Sequence, residues 1–142
     1  MRIPFLSRPS IRQIIVGTSD EAGKKAHTLI QNVRADLPEM LMACVVEVHS
    51  GKVLASYTTS ATLNPNQVSL RYAKLLRQTS DILAKRQIPG GALTDMTMML
   101  EDQLHTLRPL RNGQWYCYLA IRFADANLAI ALEVLRRHSN FE

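Results

Sequence analysis

Apolar residues recur along this chain at two spacings, and the alternation between them predicts its elements. Ala26, Leu29, Ile30, Val33 and Leu37 follow one another at helical spacing and form a single stripe. Thr18, with Glu21 three residues on, fits a capping box at the start of that helix, and Pro38 ends it. Residues 41–48 are apolar almost throughout, Glu47 excepted, which predicts a central strand covered on both faces. His49-Ser50-Gly51-Lys52 reads as a turn, and Val53 to Tyr57 as the returning strand. Ser56 and Thr58 on its other face place that strand nearer an edge.

Asn64-Pro65 opens the longest helix, with Asn as cap, Pro at the first helical position and Gln67 three residues after the cap. Val68, Tyr72, Leu75, Leu76, Thr79 and Leu83 make its apolar stripe, and Pro89-Gly90-Gly91 closes the segment. Three strand-like runs follow, 93–101, 103–110 and 114–122. The second turn, Arg111-Asn112-Gly113-Gln114, contains the Asn-Gly pair that accepts positive φ. Trp115, Cys117, Leu119 and Ile121 share one face of the last strand, and Tyr116, Tyr118 and Ala120 the other, so helices are required on both sides of the sheet. Asp125 is the expected cap of a final helix over 126–138, with Leu128, Ala131, Leu132 and Leu135 inward. Arg136, Arg137 and His138 suit the negative end of its dipole.

The predicted fold is therefore α/β, an α+β sandwich: a five-stranded antiparallel sheet with helices on both faces, in the order α-β-β-α-β-β-β-α. Residues 1–17 read as an N-terminal arm, in which Ile14-Ile15-Val16 can add a short strand or dock onto a partner. Residues 18–142 read as one domain.

Charge narrows the picture only slightly. The 142 residues hold 17 Lys and Arg against 12 Asp and Glu, a net charge of +5. The excess lies in the arm (Arg2, Arg8, Arg12) and along the middle helix, where Arg71, Lys74, Arg77, Lys85 and Arg86 face Asp81 alone. Acidic partners, nucleic acid or a membrane surface can use such charge. No aromatic residues interleave with it for base stacking, so a solvated helix face is the favoured reading and no nucleic-acid partner is expected. No apolar run reaches the roughly 18 residues of a membrane span. The start, Ile3-Pro4-Phe5-Leu6-Ser7-Arg8-Pro9, is too broken for a signal-peptide core, so a cytoplasmic location is expected. Cys44 and Cys117 sit in strands predicted to be buried and are expected to be reduced.

Candidate chemistry is sparse. Gly17 to Lys25 approaches a P-loop, but five residues separate its glycines, Lys25 follows Lys24, and Asp20 and Glu21 would repel phosphate. A capped helix start explains every residue there. His27, His49, His105 and His138 lack the i, i+4 pairing of a helical zinc site, and no Cys-x-x-Cys pair is present. Glu101 and Asp102 suit a hairpin turn better than acid–base work. No catalytic, cofactor-binding or metal-binding residue is nominated, and no enzyme activity is expected. Met96, Met98 and Met99 crowd one strand. On an edge they would offer soft side chains beside free backbone groups, a seam at which two copies could share a sheet; the alternative is an ordinary core strand.

Two stretches resemble the Roadblock/dynein-light-chain domain family. One is Ala43-Cys44-Val45-Val46-Glu47-Val48-His49-Ser50-Gly51-Lys52-Val53-Leu54-Ala55-Ser56; the other is Trp115 to Arg137, especially Asp125-Ala126-Asn127-Leu128-Ala129 and Leu132-Glu133-Val134-Leu135-Arg136-Arg137. The likeness spans about residues 20–138. Pro38 is followed by Glu39, and Met42 stands where many members have a glycine. The resemblance implies a profilin-like arrangement and a non-catalytic homodimer built by the middle helix and third strand. Val68, Tyr72, Leu75, Leu76, Met96 and Met98 would then line the dimer interface. It also implies a regulator or scaffold, in bacteria commonly beside a Ras-like small GTPase. Arg108 and Arg111, near the last hairpin, are candidate partner contacts, with ordinary solvated arginines as the alternative. A structural adaptor without a GTPase is the first alternative. A small-ligand sensor is the second, and it needs a cavity that Trp115 and the methionines would tend to fill.

Overall fold

The computed structural model describes residues 13–59 and 62–139. Nine elements follow in order: β1 (Ile15–Val16), α1 (Glu21–Asp36), β2 (Met42–Glu47), β3 (Val53–Thr58), α2 (Pro65–Lys85), β4 (Met96–Met99), β5 (Gln103–Leu110), β6 (Trp115–Arg122) and α3 (Leu128–His138). The strands form one antiparallel sheet in the spatial order β1-β3-β2-β6-β5-β4. Alternate side chains of β6 meet different layers. Trp115, Cys117, Leu119 and Ile121 pack with α1 and α3, while Tyr116, Tyr118 and Ala120 pack with α2. Every residue of β2 from Met42 to Val46 is buried, as expected of a strand between β3 and β6 with both faces covered.

Six strands replace the expected five, and the order begins with a strand. The addition is β1, which pairs Ile15 with Ser56 and Val16 with Ala55. Two residues are too few to show a period in sequence. What admits them is Gly17, whose N–H donates to the Leu54 carbonyl at 2.8 Å. A Cβ there would stand 2.2 Å from the Val53 carbonyl oxygen, so only glycine allows this approach. The basic positions of the arm, Arg2, Arg8 and Arg12, lie outside the described residues.

Two helix caps differ from expectation. Asp20, not Thr18, caps α1 and accepts from the Gly23 N–H at 3.2 Å. Asn127, not Asp125, caps α3 and accepts from the Ile130 N–H at 2.9 Å. Asp125 instead takes the Arg122 guanidinium at 2.9 Å. Asn64 caps α2 as expected, accepting from the Asn66 N–H at 3.0 Å. The hairpin between β5 and β6 turns at Arg111–Gly113, with positive φ at all three residues (51°, 57° and 86°). Cys44 and Cys117 are free, buried and on opposite faces of the sheet. Burial pushes the Cys117 thiol up to about 12 and raises Cys44 as well, so both behave as small apolar side chains.

Candidate protein-interaction face

Helix α2 touches the sheet through a narrow set of residues. Of its 21 residues only Pro65, Ser69, Ala73 and Leu76 are buried. Three of these four are small, so the helix lies close to β2 and β3 and turns its larger apolar side chains aside. The Tyr116 hydroxyl fixes the contact by donating to the Ser69 carbonyl at 2.6 Å. Val68, Tyr72, Thr79 and Leu83 are half-buried, Leu75 is 37% exposed and Ile82 57% exposed. At 3.6 residues per turn Val68, Tyr72, Leu75, Thr79 and Ile82 form one stripe beside the contact face. Arg71, Lys74 and Lys85 lie exposed on the side of the helix that faces away from the sheet, while Arg77 is exposed beside Glu47, His49 and Trp115 at the end of the sheet.

Strand β4 is the edge of the sheet on the same side. It pairs only with β5, Met96 facing Leu107 and Met98 facing His105. Met96 and Met98 are half-buried on the α2 side, and Met99 is 58% exposed on the other. The Tyr72 hydroxyl reaches the Met98 sulfur at 3.7 Å, which joins helix stripe and edge strand into one surface. Val68, Tyr72, Leu75, Met96 and Met98 therefore share a face. Leu76 does not join them: it is 4% exposed and packs into the core beneath the helix. The helical period places it one position past Leu75 and hence toward the sheet.

The two arginines singled out as partner contacts are engaged within the chain and stand apart. Arg108 on β5 meets the Asp95 carboxylate at 3.0 and 3.2 Å, clipping the approach to β4 onto β5. Arg111 on the hairpin lies over the Trp115 ring, 4.6 Å from its centroid. Among the described residues, no group of three His, Cys, Asp or Glu comes together to hold a metal ion, and no helix is long and apolar enough to cross a membrane.

No protein-family model and no curated protein sequence matches the chain. Solved structures do. MglB of Myxococcus xanthus superposes with a TM-score of 0.72 over 87% of this chain and 88% of its own, at 8% identity. An MglB structure with a tetrameric arrangement gives 0.69 over 88% and 90%, at 11% identity. A Roadblock/LC7 domain from Streptomyces avermitilis gives 0.63 over 85% and 92%, at 14% identity. The chain has a Roadblock/LC7-like fold.

Within this Roadblock-like fold a buried polar group supports the face from below. His105 on β5 hydrogen-bonds the Tyr118 hydroxyl through Nδ1 and the Gln103 side-chain oxygen through Nε2, the latter at 2.8 Å. The Tyr118 ring stands edge-on to His105 at 5.5 Å and leans on Tyr72 at 5.1 Å. Burial lowers the His105 pKa and raises that of Tyr118, so both are neutral near pH 7. The neutral imidazole then accepts from Tyr118 and donates to Gln103. Sequence reasoning passed over Gln103, His105 and Tyr118 as a group. The available signal was parity: Gln103 and His105 share a face two residues apart, but only the β5–β6 register, His105 opposite Ala120, sets them beside Tyr118.

Proposed function

We propose that this chain is a non-catalytic, dimeric regulator or scaffold that binds a Ras-like small GTPase and modulates its nucleotide cycle or its location. The observation that carries the reading is the exposed stripe of α2 running beside the unpaired edge of β4. Two copies related by a two-fold axis would join their β4 strands into one sheet and bring both α2 helices to the same side. The stripe and the Met96–Met98 surface would be covered, and the edge closed. The solved MglB with a tetrameric arrangement supports self-association on this fold. With the stripes buried, Arg71, Lys74 and Lys85 of both copies would border the joined helices as a basic surface for the partner. Such a surface acts by positioning, because hydrolysis of GTP is limited by placement of water and by charge on the phosphates.

Met98→Lys should produce monomers by light scattering; a variant that stays dimeric removes β4 from the seam. The partner is tested by affinity capture from source-cell lysate with a non-hydrolysable GTP analogue and, separately, with GDP. Enrichment of a small GTPase in one nucleotide state supports the regulator. A second reading, an adaptor subunit without a GTPase, draws on the opposite edge of the sheet, where Ile15 is 60% and Val16 41% exposed. Capture of other proteins regardless of nucleotide would favour it.

A further inference from the structure

A groove of about 360 Å³ lies between one side of α1 and the end of α3, on the far side of the sheet from α2. Its volume falls within the roughly 300–1,000 Å³ of sites that hold a small molecule. Helical spacing builds the α1 wall. Lys24, Thr28 and Asn32 follow at four-residue steps, with Glu21 and Lys25 on the neighbouring row. Leu29, only 1% exposed, closes the floor. Arg137 and His138 supply the wall from α3.

The charge on these walls is uneven. Lys24, Lys25 and Arg137 are fixed cations, and Glu21 is the acid among the lining residues. Asp36, just outside, accepts from Arg137 at 3.1 Å and meets His138 at 2.6 Å through the same carboxylate oxygen. Glu133 comes within 3.9 Å of Arg137 but is held by Arg136 at 2.7 Å. Three lining cations therefore stand against Glu21 and Asp36, and positive charge is in excess. Asp36 also orients α3: it fixes Arg137 with one N–H and leaves the other donors of the guanidinium fork in place. The Thr28 hydroxyl is spent on the Lys24 carbonyl at 3.0 Å. The donors on the walls are thus the ammonium groups of Lys24 and Lys25, the Asn32 amide and the Arg137 guanidinium.

Donors of this kind make their strongest hydrogen bonds to oxyanions. A carboxylate offers two oxygens and one charge. A phosphate monoester offers three oxygens and about two charges, which better matches four donor side chains spread over two helices. We propose that this groove binds a phosphate-bearing small molecule, its phosphoryl oxygens held between Lys24, Lys25 and Asn32 on α1 and Arg137 on α3. A soluble monoester and a lipid headgroup share this chemistry. The site has no residue in common with the α2–β4 face and does not depend on a GTPase.

The test is titration of the full chain with phenyl phosphate, followed through backbone amide shifts in NMR. Saturable shifts should centre on the lining stretch of α1 and on Arg137 and His138, and added salt should weaken them. Lys24→Gln and Arg86→Gln remove the same charge from exposed positions, one in the groove and one at the end of α2. The first should weaken binding by about tenfold, the scale of a hydrogen bond to a charged group, and the second should leave it unchanged. Matching circular dichroism shows that each variant is folded. Phosphatidylcholine vesicles with and without phosphatidic acid separate the two sources. Capture by the phosphatidic acid vesicles, lost in Lys24→Gln, assigns a lipid headgroup; phenyl phosphate binding without capture assigns a soluble ligand. Absence of saturable binding to either probe, equal affinity for acetate, shifts spread along α2, or equal losses in the two variants would overturn the proposal.

Discussion

The two faces of the sheet are closed to different degrees. On one, α1 and α3 together bury Leu29, Ile30, Val33, Val134 and Leu135 against Val45, Leu104, Leu119 and Ile121, none of them more than 4% exposed. On the other, a single helix of 21 residues rests on Ser69, Ala73 and Leu76 and leaves Leu75 and Ile82 in solvent. Two helices seal a face; one helix with small contact residues does not. The difference separates residues that hold this chain together from residues free to hold something else. Truncation on the closed face should therefore cost stability, and truncation on the open face should cost association.

The largest effect tests that division. Leu135→Ala removes a fully buried side chain between α3 and the sheet and should destabilise the fold by about 2–5 kcal/mol in chemical denaturation. Leu75→Ala, cut from a side chain 37% exposed, should change monomer stability by no more than about 0.5 kcal/mol. If the two cost the same, the faces are not different in kind. Next in size is association. Leu75→Asp puts a charge into the stripe and should weaken any dimer measured by sedimentation while leaving monomer stability nearly intact. An unchanged dimer would detach the stripe from self-association.

A smaller effect comes from a polar tie between α2 and the sheet on the open face. Tyr116→Phe removes the hydroxyl that donates to the Ser69 carbonyl. The expected loss is about 1 kcal/mol, that of a hydrogen bond whose acceptor is left in a buried place. A neutral result would mean that α2 is held by packing alone.

Much of this architecture is legible in the sequence, and the reasons it stops being legible are physical. The double-sided apolar run of Met42–Val46 announces a central strand, and the alternation Trp115 to Ile121 assigns each residue to its correct layer. Asn64-Pro65 announces the start of α2 because cap and first-turn geometry are local. Local rules fail where two residues compete for one role. Asp20 wins over Thr18, and Asn127 over Asp125, by reaching the free N–H three residues on. They leave β1 undecided between an added strand and a partner dock, because its pairing rests on a close approach at Gly17 and not on a pattern. For the candidate face, helical spacing grouped Leu76 with Val68, Tyr72 and Leu75 but could not say that Leu76 turns inward. Nor could it show that Arg108 was already spent on Asp95, because sheet register and loop path are non-local.

His105 gives a pH-dependent test of what lies beneath the open face. Its folded pKa is lowered from 6.5 by burial, with no charged group contributing. The groups facing it are Gln103 on its own strand, Tyr118 on β6 and Met98 on β4, with Tyr72 of α2 behind Tyr118. Above pH 6.5 both folded and unfolded chains hold it neutral, and its contribution is fully present. As pH falls below 6.5 the unfolded chain takes up the proton first, so stability drops through the folded pKa. The difference in unfolding free energy between wild type and His105→Gln should shrink over that window. A constant difference would show that His105 is solvated and that the polar group is not closed.

The smallest expected effect is at the Arg108–Asp95 pair, and it asks whether the open face ends at β4 or continues into the loop before it. The pair is two-pronged at 3.0 and 3.2 Å, with side chains 20% and 18% exposed. Geometry of that kind raises an ion pair above the median for exposed pairs, yet water still reaches it, so a coupling of about 0.5–1 kcal/mol is expected. A double-mutant cycle with Arg108→Ala and Asp95→Ala measures it without counting losses peculiar to either side chain. The cycle should also shrink in high salt. Coupling near zero would mean that Asp95 does not clip the chain to β5. The loop before β4 would then not be fixed by this pair, and the open face would end at β4.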